Sequence, residues 1–234
     1  SPEDSYAGIL HTDQQQVQIM KRRGGVGFDI SNIRPKGLAT SNAARTTDGL
    51  GVFMARFSNS TREVAQGGRR GALMISIDIR HPEIETFINI KRDLTKVTGA
   101  NISIRLNDEF MNAVKNDEEF RLQWPVESIE PKITKIVRAT EIWDQIIDSA
   151  HQMAEPGIFF WDNVLNNSIP DCYADLGFKT VSSNPCGEIV LSPKDSCRLM
   201  VVNLAKFVQK PFTQHARFNW QKFSATVQKA QRLM

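Results

Sequence analysis

Ala72-Leu73-Met74-Ile75-Ser76-Ile77-Asp78-Ile79, running on into Arg80-His81-Pro82-Glu83-Ile84-Glu85-Thr86-Phe87-Ile88, is the stretch on which the fold turns. Its first eight residues are apolar and β-branched enough for a buried strand. Pro82 can open a helix, because the N–H it lacks is not needed in the first turn, and Ile84, Phe87 and Ile88 then share one face. Asn101 to Leu106 reads as a second strand, and Asn107 can cap a helix bearing Phe110, Met111 and Val114.

The same alternation extends both ways. Upstream, residues 11–23 form a polar helix with Val17 and Met20 on one side, stopped at Gly24-Gly25. Val26 to Ile30 is a short strand, Asn32 to Ala44 a loop, and Leu50, Phe53, Met54 and Phe57 recur at helical spacing before the loop Gln66 to Gly71. Downstream, Thr140 is placed to cap a helix with Ile142, Trp143, Ile146, Ile147, Ala150 and Met153 in one stripe. Gly157 to Trp161 and Met200 to Leu204 read as strands and Phe218 to Leu233 as a closing helix. Strands and helices alternating in this way predict an α/β fold with largely parallel strands.

The chain has 234 residues, 41% hydrophobic and 24% charged, which is an ordinary globular composition. A formal net charge of +3 is too slight to argue for nucleic acid or a membrane surface as partner. No apolar run approaches the roughly 18 residues that a membrane span needs. Three cysteines, Cys172, Cys186 and Cys197, do not make a disulfide scaffold; they point to a reducing, cytoplasmic compartment and to thiol chemistry. The histidines His11, His81, His151 and His215 are scattered and no CxxC pair is present, so no metal site is expected. No repeat or linker divides the chain, so residues 1–234 read as a single partial domain without internal boundary. The start at Ser1-Pro2 and the stop at Met234 behind a helix-like run read as a fragment of a longer protein.

Three segments could carry chemistry. Gln66-Gly67-Gly68-Arg69-Arg70-Gly71 combines tight-turning glycines, whose N–H groups are open, with two guanidinium groups suited to phosphate or base edges. It lacks the Lys-Ser/Thr of a Walker loop, and composition alone is equally met by a glycine turn with solvated arginines. Gly24-Gly25-Val26-Gly27-Phe28-Asp29, followed by Arg34-Pro35-Lys36-Gly37, resembles a phosphate cradle, or else is a strand entry packed on a neighbouring helix. The sharpest is Ser183-Asn184-Pro185-Cys186-Gly187-Glu188-Ile189, with Cys197 eleven positions beyond Cys186. Pro and Gly on either side of the cysteine force an irregular turn that holds the thiol at a loop tip. Glu188 and Asn184 bring an acid/base group and a hydrogen-bond donor close to the sulfur. A structural cysteine would normally sit in an apolar run instead.

These motifs, with Asp195-Ser196-Cys197-Arg198-Leu199 and Val202-Asn203-Leu204, resemble in order and spacing the catalytic subunit of ribonucleotide reductase. The texture is most similar to its adenosylcobalamin-dependent branch. The resemblance implies part of a ten-stranded α/β barrel: the first half-barrel with its parallel strands, plus the finger loop that carries the catalytic cysteine. It implies that Cys186 becomes the thiyl radical that takes the 3′ hydrogen of the ribose, and that Glu188 takes the 3′-hydroxyl proton. Asn184 would hold the ribose hydroxyls. Cys197 would be one half of a redox-active dithiol whose partner precedes Ser1, and Cys172 would be a bystander. Gln66, Gly67, Gly68 and Arg70 would contact the substrate or relay the identity of the effector. Asp4, Ser5, Arg34 and Lys36 would bind that nucleotide effector, a dNTP or ATP.

By the same resemblance the activity is reduction of ribonucleotides to 2′-deoxyribonucleotides, the precursors of DNA, in a homodimer re-reduced by a thioredoxin- or glutaredoxin-type protein. Adenosylcobalamin is the expected radical source of the full-length enzyme, with a separate metal-containing subunit as the alternative. The chain alone should be inactive. A relative in the glycyl-radical group would share the barrel and finger cysteine, but would have no use for Cys197 or the glycine-arginine loop. A nucleotide-binding or assembly module without activity is the non-enzymatic alternative.

Overall fold

The computed structural model describes residues 1–64 and 68–234. Where the sequence marks no boundary, these residues pack as two compact units, Ser1–Asp195 and Ser196–Met234.

In chain order the larger unit contains α1 (Tyr6–Met20), β1 (Val26–Asp29), α2 (Leu50–Glu63), β2 (Leu73–Asp78), α3 (Ile84–Asn89), β3 (Asn101–Leu106), α4 (Asp108–Asn116), β4 (Glu119–Trp124), β5 (Ile133–Arg138), α5 (Ala139–Met153), β6 (Gly157–Phe160), α6 (Trp161–Asn167), β7 (Ser182–Ser183) and β8 (Val190–Leu191). β1, β2, β3 and β6 form one sheet in that order. Every pairing in it is parallel, with Phe28 opposite Ile75, Ile75 opposite Ile102 and Ile104 opposite Ile158. The expected α/β architecture with parallel strands is present.

Strand periodicity gives the sheet two unlike faces. Phe28, Leu73, Ile75, Ile77, Ile102, Ile104 and Leu106 share one buried core with Leu50, Met54 and Phe57 of α2, Ile84, Phe87 and Ile88 of α3, and Ile142 and Ile146 of α5. Phe28 meets Phe57 edge to face with ring centroids 4.8 Å apart. Each fully buried side chain of this kind contributes about 1.5–3 kcal/mol, against under about 1 kcal/mol for a surface ion pair, so the helix-covered face dominates stability. The alternate positions, Gly27 and Asp29, Met74, Ser76 and Asp78, Asn101, Ser103 and Arg105, fall on the opposite face, which is small and polar.

Local signals explain most boundaries. Asn107 caps α4 by accepting from Phe110 N at 2.8 Å, as its position predicts. Thr140 does not cap α5. That helix begins at Ala139, and the Thr140 hydroxyl donates to Asp117 Oδ1 at 2.8 Å, because Asp117 ends α4 in the left-handed region and turns its carboxylate toward Arg138 and Thr140. Ile147 faces solvent instead of the stripe, being 49% exposed. The antiparallel hairpin of β4 and β5 was not expected, although Phe120, Leu122 and Trp124 alternate with polar residues as a half-buried strand should.

The smaller unit contains a 3-10 turn (Leu204–Phe207), β9 (Val208–Gln209), β10 (Arg217–Phe218) and α7 (Trp220–Leu233), packed around Phe207, Phe218 and Phe223. The strand expected from Met200 to Leu204 is absent. Residues 200–203 are irregular, with Val201 93% exposed, because apolar residues form a strand only where a neighbouring backbone offers a ladder. No helix among the described residues is long and apolar enough to cross a membrane.

His81 locks the turn from β2 into α3. It is wholly buried, its Nε2 lies 2.9 Å from the Ile33 carbonyl, and its Nδ1 accepts from Glu83 N at 3.1 Å. Those partners require a neutral ring protonated on Nε2. Burial lowers its pKa from 6.5 to about 4, against the opposing pull of the Ile33 bond and the charges of Asp29 and Asp78. Between those two values the unfolded chain takes up a proton that the folded chain refuses, so stability is complete above the unfolded pKa and declines as pH falls toward 4. The loss amounts to roughly 3 kcal/mol for this depression. Urea unfolding at pH 7.0, 5.5 and 4.5 should show that decline, and His81→Gln should flatten it; an equal slope in the variant would remove His81 as the cause.

Candidate active site

β7 and β8 pair antiparallel, Ser182 opposite Leu191 and Ser183 opposite Val190, and the residues between them carry Asn184, Cys186 and Glu188. The loop closes on itself. Asn184 N donates to Ile189 O, Ile189 N donates to Asn184 Oδ1, and Gly187 N donates to Asn184 O, each at 3.0 Å. The last bond makes Asn184 to Gly187 a four-residue turn with Pro185 second and Cys186 third. Proline presets the backbone angle at the second position, and Gly187 takes φ +87°, which costs a residue with a Cβ far more. Cys186 is therefore at the tip, as an exposed free thiol, with Glu188 also exposed and Asn184 buried.

This loop lies on the polar face of the sheet, at the N-terminal ends of its strands. A Cβ on Gly27 would stand 1.8 Å from the Ser183 carbonyl oxygen, and one on Gly25 would stand 2.5 Å from Pro185 Cγ. A Cβ on Gly187 would lie 3.6 Å from the Phe159 ring and 3.7 Å from Met74 Cε. Asn101 Nδ2 donates to Pro185 O at 2.8 Å. Gly25 and Gly27 thus form the seat of the cysteine loop, while Gly24, where a Cβ would stand 2.5 Å from Ile19 Cγ2, makes the helix contact that sequence offers as one reading.

Deeper on the same face is a charged network that sequence reasoning missed. Arg105 Nη1 lies 3.1 Å from Asp29 Oδ2, and its Nη2 lies 3.5 Å from Asp78 Oδ2. Ser76 Oγ donates to Asp29 Oδ2 at 3.0 Å and stands 3.5 Å from Ser182 Oγ, at the root of the cysteine loop. Arg80 grips Asp78 through two bonds of 2.9 Å. Burial pushes the Asp78 carboxyl up, but the bonds and charge of Arg80 and the charge of Arg105 outweigh it and hold it below the usual carboxylate range. The available signal was the polar residue at every second position of otherwise apolar strands. The Arg105 guanidinium lies 4.2 Å from the centre of the Trp161 ring, in a cavity of about 580 Å³ that Asp29, Glu127 and Lys179 also line. That cavity opens at the C-terminal ends of the strands, and Asn184, Cys186 and Glu188 are not among its lining residues.

The other expected residues fall into separate groups. Asp4 accepts from Arg34 Nε at 2.8 Å and from Arg34 N at 2.9 Å, so those two form one ion pair. Ser5 caps α1 by accepting from Gly8 N at 3.0 Å. Lys36 has an exposed side chain, and its backbone N–H donates to Glu83 Oε2 at 3.0 Å. Gln66 and Gly67 lie outside the described residues. Gly68 (φ +88°), Arg69 and Arg70 are exposed, and Gly71 packs beside Met20 at the last turn of α1, where a Cβ would stand 2.7 Å from the Met20 sulfur. Asp4 precedes the first turn of that 15-residue helix, so about 20 Å separates the ion pair from Gly71. Within one chain Gly71 and the Asp4–Arg34 pair thus stand at opposite ends of α1. Cys197 belongs to the smaller unit and is half-buried, while Cys172 is exposed, with its sulfur 3.7 Å from the Ser168 carbonyl.

The sequence was compared with known proteins. The family model described as "Ribonucleotide reductase, barrel domain" matches residues 1–234. A vitamin B12-dependent ribonucleoside-diphosphate reductase of Thermoplasma acidophilum is 37% identical over 207 residues, covering 88% of this chain and 26% of the relative. One of Mycobacterium tuberculosis is 32% identical over 212 residues, covering 88% and 29%. The ribonucleoside-diphosphate reductase large subunit of monkeypox virus is 28% identical over 251 residues, covering 96% and 32%. The chain spans about a quarter to a third of the length of these relatives. With its parallel sheet, and a cysteine turn seated on the sheet's polar face, the chain belongs to the ribonucleotide reductase barrel-domain family.

Proposed function

We propose that the protein containing this segment reduces ribonucleotides to 2′-deoxyribonucleotides, with Cys186 as the radical-bearing thiol. The observation that carries the reading is the Asn184–Gly187 turn, which holds an exposed thiol on the polar face of a parallel sheet with a carboxylate two residues on. As a thiyl radical, Cys186 takes a hydrogen atom from C3′ of the ribose, forming S–H and leaving the unpaired electron on carbon. Glu188 accepts the 3′-hydroxyl proton, and the 2′-hydroxyl takes a proton from one of the two reducing thiols and leaves as water. Cys197 and the second thiol, whose remaining hydrogen goes to C2′, supply two electrons and become a disulfide while Glu188 returns its proton to the 3′ oxygen, and an external thioredoxin- or glutaredoxin-type dithiol reduces the disulfide. The hydrogen then returns from Cys186 to C3′. Asn184 orients the hydroxyls, a role for which its buried, doubly bonded setting supplies rigidity.

The names of the Thermoplasma and Mycobacterium relatives carry vitamin B12, and adenosylcobalamin, when bound, supplies the radical. This chain's share of that chemistry is the Cys186 thiol, whose exposure at a loop tip fits a radical source reaching it from outside the described residues. The Asp4–Arg34 pair, Ser5 and Lys36 make the effector site, Arg34 and Lys36 meeting phosphate and Asp4 the sugar. The glycine-arginine loop serves it from a second copy: two α1 helices paired antiparallel across a twofold axis bring residues 68–71 of one chain to the Asp4 end of the other. The exposed Tyr6 and Leu10 on α1 and Val52 on α2 offer an apolar face for that homodimer.

In the full-length protein Cys186→Ala should abolish deoxynucleotide formation, and Glu188→Gln should slow it about 100-fold with nucleotide affinity retained. Turnover by Cys186→Ala would overturn the reading. Arg34→Ala should weaken effector binding about tenfold or more by calorimetry and blur the choice among substrates, with turnover itself persisting. Unchanged affinity and selectivity would remove Arg34 from the effector site.

A further inference from the structure

The turn that carries Cys186 has a weak point. In a four-residue turn with proline second, the peptide between the second and third residues can face either way. The two orientations differ in the backbone angles of the third residue, which needs positive φ in one and negative φ in the other. Here the third residue is Cys186, and its φ is not positive. Flipping the Pro185–Cys186 peptide would swing the Pro185 carbonyl to the other side of the turn, force Cys186 toward the left-handed region and re-aim its Cα–Cβ bond. The closing bond from Gly187 N to Asn184 O does not decide between the two, because both orientations retain it.

We propose that Asn101 decides it, and so is a positioning residue for the Cys186 thiol; the proposal rests on reading Cys186 as the radical-bearing group. Asn101 is the first residue of β3, its backbone held by pairing with Met74 of β2, and its side chain donates to the carbonyl that would have to move. The remaining contacts do not substitute for it. Gly25 and Gly27 admit the Pro185 ring and the Ser183 carbonyl by close approach, which seats the loop but does not grip the Pro185 oxygen. Gly187 allows the turn to exit without choosing its handedness. An amide donor on a sheet strand is stiff, whereas water at the same carbonyl would accept either orientation. Asn101 touches no reacting atom in this scheme; it acts through the direction in which the sulfur points.

The test uses the full-length protein with two variants. Asn101→Leu keeps the size and removes the donor. Asn101→Asp offers a donor only when its carboxyl is protonated, and as a carboxylate it repels the Pro185 oxygen. Both should lower kcat about 10- to 100-fold with KM within about twofold, since a misdirected thiol affects the hydrogen transfer and not nucleotide binding. The kcat of Asn101→Asp relative to wild type should rise as pH falls toward 5, while that of Asn101→Leu stays flat. Independently of turnover, site-resolved alkylation by iodoacetamide should change at Cys186 about threefold or more in Asn101→Leu at pH 7.5, with Cys172 in the same sample as an unchanged control. Unaltered Cys186 alkylation together with kcat within twofold of wild type would overturn the proposal, as would a loss in Asn101→Asp that low pH does not relieve. Should Cys186→Ala prove active, the functional reading fails and the alkylation arm alone still decides whether Asn101 orients the thiol.

Discussion

Arg105, lying between Asp29 and Asp78, ties three strands of the sheet together on the face that the helices do not cover. Removing either carboxylate would leave a largely buried guanidinium short of a partner, a loss of about 3–5 kcal/mol where a buried pair is broken, so this face tolerates polarity only because its charges satisfy one another. The constraint propagates. Asp29 also accepts from Ser76, Ser76 stands beside Ser182, and two residues on from Ser182 the chain enters the cysteine turn. The helix-covered face accounts for why the domain folds, and the polar face accounts for where the exposed Cys186 thiol is held.

Much of this was legible in sequence, for reasons that can be named. Strands β1, β2, β3 and β6 were visible because β-branched and aromatic residues recur between helical stripes, and the cap at Asn107 carries its own chemistry, whereas Pro82 stands in the turn before α3, whose N-cap is Glu83. The cysteine turn was visible because Pro and Gly constrain backbone angles whatever the surroundings. What escaped depends on partners far away in sequence. Asp29, Asp78 and Arg105 look like ordinary polar interruptions until the register places them side by side. Thr140 met the rule for a cap but was drawn instead to Asp117, a residue 23 positions away. Met200 to Leu204 had strand-like composition, and composition cannot report whether a ladder is available to receive it.

The candidate site divides in the same way. Asn184, Cys186 and Glu188 are neighbours in sequence and share one turn, so their association could be read directly. Asp4 and Arg34, thirty positions apart, also meet. The glycine-arginine loop was expected to join that pair to the cysteine pocket, and motif order gave no warning that Gly71 and the pair sit at opposite ends of α1. The length of α1 sets the distance between Gly71 and Asp4.

The smallness of the inner wall has a consequence of its own. Gly27, Ser76, Ser103 and Gly157 line the polar face with almost no side-chain volume, and Gly157 sits so close to Ser103 that a Cβ there would stand 2.7 Å from its hydroxyl oxygen. At Gly27 the Ser183 carbonyl approaches as closely as it does only because no Cβ stands there. Ser76 and Ser103 are themselves buried, so enlarging Ser76 by a single methyl group would press against Ser182 at the root of the cysteine loop while leaving the helix-packed core untouched, and such a change would shift the loop without loosening the fold.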